Sequence, residues 1–386
     1  MLGTICAFVL AICLIAPVRA GQDYRRNQVV LDIKSSPEHP RNTEGSFVRL
    51  RSGRIEFYFT QFYGGAHDES PARIAEVHSD DGGRAWSAPR VVVDNGKSDN
   101  VMDVSLLRLA SGKLALFYNI KASAWLDCRP YVRLSDDEGA TWSQPRPVVV
   151  AAGYTGVNND RAIQTRSGRL ILPVPFNRII GRANTERSID WRTITCWYLS
   201  DDEGASWRES PTWWTLPVPS AVGMDEPGVV ELADGSLYSW ARTDHGEQWA
   251  CRSRDGGETW SPPKPTALIS PNSPASIKRL PGSVDLLAIY NDHSGRYPFP
   301  RGKDLFHART PLVAAISHDG GETWPERRVL ENDPNGNFCY IAIHFVDHAV
   351  LLAYGVYWGD GQITGTQRIR RVELDWLTAA NNTSDG

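Results

Sequence analysis

No run of basic residues interrupts this chain, and its formal net charge is only -4. A surface without a positive stripe gives nucleic acid or an anionic membrane no electrostatic footprint. Past residue 18 no apolar stretch is long enough to span a bilayer. Helical periodicity is missing throughout, which excludes a helical bundle. Cysteine is scarce: there are six, at 6, 13, 128, 196, 251 and 339. None shows C-x-x-C spacing, so a zinc site is not expected, and no cofactor is expected either. One or two disulfides, or four buried free thiols, both fit the four cysteines that follow the apolar start. Nor does any linker divide the chain. What the chain does have is a hydrophobic content of 41% over 386 residues, enough for a sizeable core.

Residues 2–18 are apolar and uncharged, and Ala20 offers a small residue before a polar start at Gly21. This reads as a secretory leader over residues 1–20, which would make the product secreted or periplasmic. An N-terminal membrane anchor is the rival reading. Residues 21–380 then form one domain.

The strongest pattern is S-x-D-x-G-x-x-W, present five times and starting at Ser79, Ser135, Ser200, Ser253 and Ser317. Copies recur roughly 55 to 65 residues apart, the mark of a repeat architecture. Asp and Gly at fixed offsets suit a tight hairpin turn, with the Trp packing beneath it. Upstream of each copy lies a second hairpin of alternating residues around a turn glycine, as in 46–60, 104–119, 162–174, 228–242 and 276–290. A sixth, 341–354, has no S-x-D-x-G-x-x-W after it. Two hairpins per repeat and six repeats predict an all-β fold, a six-bladed β-propeller of four-stranded antiparallel blades. A strand around 28–33 should close the last blade. A parallel β-helix is the rival, but its repeats are much shorter.

The hairpin glycines set a register. Nine residues before them stand Glu44, Asp103, Asn159, Glu226, Ser273 and Tyr340. Each would start the first strand of its blade, so the six should converge on one mouth of the central channel. The S-x-D-x-G-x-x-W turns then fall on the opposite face and are structural. The longest loops at the mouth should be 176–195 and 291–308, and loops on a rigid scaffold carry binding residues.

These repeats resemble the Asp boxes (BNR repeats) of the bacterial exo-sialidase (neuraminidase) superfamily, over nearly the whole chain after the leader. Asp225-Glu226-Pro227-Gly228, with Arg242 sixteen residues after Glu226, is similar to that family's catalytic Glu motif and following Arg. Arg309 stands where the family has a further substrate-binding Arg. Tyr340 stands where it has its nucleophile, and Asp68 where it has its acid/base Asp. Glu69 is a direct competitor of Asp68.

The chemistry fits a substrate with a carboxylate on its anomeric carbon. A guanidinium fork matches a carboxylate bidentately, which suits Arg242 and Arg309. A carboxylate nucleophile would be repelled by that group; a neutral Tyr340, deprotonated by Glu226, would not. Asp68 in a mouth loop would protonate the leaving group.

Blade one departs from the pattern. Counting back from Gly53 puts Thr43 where the first family Arg is expected, and Arg41 stands two residues early. Glu44, Asp103, Asp160 and Arg161 also fall near the mouth and are expected to contact substrate, although the family pattern gives them no clear roles. The resemblance therefore implies a retaining exo-α-sialidase acting on sialylated or other acidic glycans. A uronate-acting polysaccharide lyase and a non-catalytic glycan-binding propeller stay open.

Overall fold

The structure is a computed structural model that describes residues 26–298, 307–358 and 364–379. The expected leader and the centre of segment 291–308 lie outside the described residues. Strands run up and down, each paired antiparallel with the next in its unit. Four units are separate four-stranded sheets, whose first strands are Asn100–Arg108, Ile163–Gln164, Asp225–Glu231 and Ser276–Arg279. The fifth sheet has eight strands. One half is Arg41–Arg49, Ile55–Phe62, Ala72–Ser79 and Arg90–Val93. The other is Gly336–Val346, Ala349–Trp358 and Gly365–Glu373, with Asn27–Ile33 at its edge. A single parallel pair, Arg41 with Gly365, joins the halves.

The all-β propeller of four-stranded units is therefore present, but not as six separate sheets. The first and last units hydrogen-bond where the ring meets itself. Units are numbered one to six below in chain order. Closure is by the expected N-terminal strand: Asn27–Ile33 runs antiparallel to Gly365–Glu373, and Arg368 donates to both Asp32 oxygens at 2.8 and 2.9 Å.

The core is a ring of interfaces between units. Tyr238 and Trp240 of unit four pack on Ile277 and Leu286 of unit five. Leu287 and Ile289 of unit five meet Ile343 and Leu352 of unit six, and Phe57 of unit one meets Leu351. A strand between two neighbours is apolar on both faces, and all of Ile55–Phe62 is buried.

In every S-x-D-x-G-x-x-W copy the Ser Oγ donates to the Asp Oδ1 at 2.8 Å. The same Oγ accepts the Gly N–H at 2.8 to 2.9 Å. The glycines have φ of 84° to 94°, open to glycine at no steric cost. These turns meet the first-hairpin turn of the preceding unit: Glu138 pairs with Arg51, and Glu203 accepts from the Ser111 N–H. They lie on the face away from the first-strand starts.

One alternative is decided and one expectation is corrected. Cys128, Cys196, Cys251 and Cys339 are all free and buried, so the free-thiol alternative holds. Only part of 176–195 is loop: strands Leu170–Ile179 and Ile189–Ser200 extend into it and leave residues 180–188 between them, with a turn of 3-10 helix at Glu186–Ser188. Their pairing continues as far as Ile179 with Ile189, across a register shift at Phe176/Arg178.

Candidate active site

The first strands of units one, two, four and six carry a β-bulge just inside the mouth, at Thr43/Ser46, Met102/Ser105, Asp225/Gly228 and Cys339/Ala342. A bulge re-aims a side chain. In each case the re-aimed residue has left-handed backbone: Glu44 (φ 53°), Asp103 (62°), Glu226 (47°) and Tyr340 (62°). Such backbone costs roughly 1–3 kcal/mol per non-glycine residue and clusters at functional sites. Unit three corrects the register, because Asp160 (φ 56°), not Asn159, takes this conformation. Asn159 instead ties units together, donating to the main-chain oxygens of Gly45 at 2.7 Å and Tyr340 at 3.2 Å. In unit five Ser273 is buried and donates to Asn291 at 2.7 Å, so it presents nothing to the mouth.

Arg41 reaches the site despite its displaced position. Its Nη1 meets Asp68 Oδ1 at 2.5 Å and its Nη2 meets Glu44 Oε1 at 2.8 Å. Its guanidinium carbon lies 4.6 Å from the Phe62 ring centre. The Arg41 side chain is 5% exposed, whereas that of Asp68 is 54% exposed. Asp68 is nonetheless acted on by the charges of Arg41, Lys121 and Arg309. Glu69 is exposed; it is Asp68 whose carboxylate meets Arg41.

Arg242 is held by Asp225 at 2.7 Å and by Asn272 Oδ1 at 2.8 Å. Its Nε stands 2.8 Å from Glu226 Oε2. Neither atom meets hydrogen-bond geometry there, so the contact is an ion pair out of line. Arg309 lies with its guanidinium carbon 5.2 Å from the Tyr340 ring centre, and its Nη1 donates to Cys339 Sγ at 3.0 Å.

Electrostatics joins these parts. Burial raises the Tyr340 phenol well above its ordinary range and Glu226 adds to this, while Arg309 and Arg242 oppose it. Burial also raises Glu226, against the pull of Arg242, Arg309 and Arg161. At Asp68 burial acts upward, but Arg41, Lys121 and Arg309 outweigh it and hold the carboxyl well below the usual range. Arg309 thus acts on Tyr340 and Glu226 as well as on Asp68. Burial pushes Glu44 up to about 7 and Asp103 well above the ordinary carboxylate value, each raised further by a neighbouring carboxylate. Asn119 donates to Asp103 at 2.7 Å.

Asp160 and Arg161 do not join this group. Asp160 is spent inside the channel, accepting from Ser46 (3.0 Å), Lys278 (2.9 Å) and the Ile343 N–H (3.0 Å). Arg161 is buried, donates to Ser276 at 3.2 Å and lies 5.9 Å from the Trp240 ring; burial lowers its pKa to about 10. Both line a cavity of about 380 Å³ that reaches Gly282 and Glu231 toward the far side. Among the described residues no group of three or more His, Cys, Asp or Glu is placed to hold a metal ion. No helix among them is long and apolar enough to cross a membrane.

Residues 56–351 match the family described as the BNR repeat-like domain. The chain belongs to that family. This BNR repeat-like protein is 31% identical over 150 residues to an anhydrosialidase of Macrobdella decora, covering 37% of this chain and 18% of that one. It is 25% identical over 347 residues to a sialidase of Micromonospora viridifaciens, covering 80% of this chain and 47% of that one. The chain thus spans less than half the length of these curated relatives. Its fold superposes on the K499G mutant of NanB sialidase from Streptococcus pneumoniae with a TM-score of 0.69 at 15% identity, covering 92% of this chain and 71% of that one.

Sequence reasoning missed several residues of this BNR repeat-like mouth. Tyr357 Oη lies 2.6 Å from Thr43 Oγ1, and its ring is 6.0 Å from the Arg41 guanidinium carbon. Asn272 fixes Arg242. Asn100 and Lys121 contact the main chain of Asp68. The only signal for the last was a lysine in an apolar strand, LALFYNIKAS.

Proposed function

We propose that this protein is a retaining exo-α-sialidase that releases a terminal sialic acid, or a related acidic sugar, from glycoconjugates. The observation that carries the reading is Tyr340: a half-buried phenol on left-handed backbone, acted on by Glu226, Arg309 and Arg242. The sialidase names of its relatives support the same class of substrate.

Tyr340 attacks the anomeric carbon while its proton passes to Glu226, whose burial makes its carboxylate a stronger base. The glycosidic C–O bond breaks, and the leaving oxygen takes a proton from Asp68. Water then attacks the glycosyl–tyrosine carbon and gives its proton to Asp68, and the tyrosinate recovers its own from Glu226. Arg309, Arg41 and Arg242 carry the positive charge for the sugar carboxylate. Asp68 is held ionised chiefly by Arg41. A sugar carboxylate at Arg41 offsets that charge, so substrate binding itself moves Asp68 toward the protonated form an acid needs. Residues 1–20 support export of the enzyme to meet such glycans.

The test is turnover of a fluorogenic sialoside. Wild-type protein releases the fluorophore, and Tyr340→Phe and Glu226→Gln lower kcat by roughly 10²- to 10⁴-fold. Folded wild-type protein inert toward every sialoside linkage contradicts the proposal. Unsaturated products from a uronate polymer would favour a lyase instead.

A further inference from the structure

Lys121 is 2% exposed. Among the described residues its ammonium makes no ion pair; it donates to the Asp68 main-chain oxygen at 2.8 Å and stands 5.5 Å from the Tyr154 ring centre. Lysine is almost never fully buried unless paired, and burying an ammonium is costly. Strand Leu114–Ser123 is buried over its first six residues, and a methionine would fill the position without that cost. Directly opposite on Asn100–Arg108 is its register partner, Asn100. The Asn100 Nδ2 donates to the same Asp68 oxygen at 2.7 Å and to the Ser70 oxygen at 3.1 Å. Two cross-strand partners of unit two therefore converge on one carbonyl in a loop of unit one and satisfy both its lone pairs.

We propose that Lys121 and Asn100 are positioning residues for Asp68: together they pin its loop to unit two, and the Lys121 ammonium supplies a fixed positive charge beside its carboxylate. This rests on the reading of Asp68 as the acid/base. The division of labour follows from chemistry. Asn100 can hold the loop but carries no charge, whereas Lys121 does both. Arg41 and Glu44 face Asp68 from Arg41–Arg49, Asp103 from Asn100–Arg108, and Arg309 from the segment before Leu312–Ser317; Tyr154 and Cys128 stand around Lys121. After Arg41, Lys121 is the strongest cation acting on Asp68. Its charge stays in place when an anionic sugar offsets Arg41. An ionised Asp68 is then still accessible for the second step, when it must act as base.

The test is a carboxyl ¹³C NMR titration of aspartate-labelled protein, with the Asp68 signal assigned by its loss in Asp68→Asn. Lys121→Met raises the Asp68 midpoint, and Lys121→Gln, which keeps a donor without the charge, raises it too. Asn100→Ala leaves the midpoint in place. On a sialoside, Lys121→Met and Asn100→Ala each lower kcat by roughly 10- to 100-fold with KM less affected, but only the Lys121 variants shift the pH profile. An unmoved Asp68 midpoint in folded Lys121→Met or Lys121→Gln overturns the proposal, as does wild-type kcat in both Lys121→Met and Asn100→Ala. Because the titration needs no turnover, a wild-type protein inert on sialosides sinks the assigned reaction while the NMR result still decides the role of Lys121.

Discussion

Glu44 shows how tightly charge is packed at the mouth. It is 3% exposed, pairs with Arg41 and stands beside Asp103 and Asp68. Burial, opposed by Arg41 and reinforced by Asp68, moves it from an ordinary value of 4.5 to about 7. The folded state therefore holds a proton that the unfolded chain has released over that window. By linkage, the stability this residue contributes is fully present below pH 4.5 and is lost as pH rises through about 7. Glu44→Gln should flatten the decline in Tm between those limits, measured by calorimetry across pH. A decline as steep as in wild type would contradict it. The same scale explains what could be read from the chain. Asp68, Glu226, Arg242, Arg309 and Tyr340 were expected at the mouth from their offsets within each unit and from the sialidase resemblance. Arg41 looked out of register because counting assumes a uniform strand, whereas the bulge at Thr43/Ser46 and the pairing with Gly365 set its path. Asp160 replaced Asn159 in unit three because its carboxylate is recruited by Ser46, Lys278 and Ile343 from three other units. Lys121 was invisible because its meaning depends on a cross-strand neighbour and a loop of another unit.

At the level of elements, the S-x-D-x-G-x-x-W turn is a self-contained device. Ser317 is fully buried, donates to Asp319 and accepts the Gly321 N–H at 2.9 Å. Ser317→Ala leaves that N–H without its partner, which costs about 1–3 kcal/mol. Denaturant unfolding should show the loss, while KM for a sialoside stays at the wild-type value because the turn lies on the face away from the mouth. A changed KM would contradict that placement. Such turns are local, so their positions, their strands and the closing strand near 28–33 were readable in advance. The bulges were not, since a strand's pattern of apolar residues runs on through one added residue. Segment 176–195 was read as a mouth loop, whereas the strands Leu170–Ile179 and Ile189–Ser200 extend into it from both sides.

Across the whole molecule, the propeller brings together residues that are far apart in sequence. Unit one supplies Arg41 and Asp68, unit two Asp103 and Lys121, unit four Glu226 and Arg242, unit five Arg309 and unit six Tyr340. Interfaces between units form the core, so each wedge holds its neighbour's mouth residues in place. Ring closure completes this: the Arg41–Gly365 pair sets unit one against unit six, next to the strand that carries Tyr340. Unit three contributes to the axis rather than to the mouth, through Asn159, Asp160 and Arg161. In the proposed reaction this ring forms and breaks a bond at Tyr340. A fluorinated sialosyl fluoride, which forms the glycosyl–enzyme bond readily but releases it slowly, tests it most directly. Peptide mass spectrometry after incubation should find the fluorosugar on Tyr340, with no adduct in Glu226→Gln over the same interval. An adduct on another residue, or an unmodified Tyr340 in protein that turns over sialosides, would contradict the account.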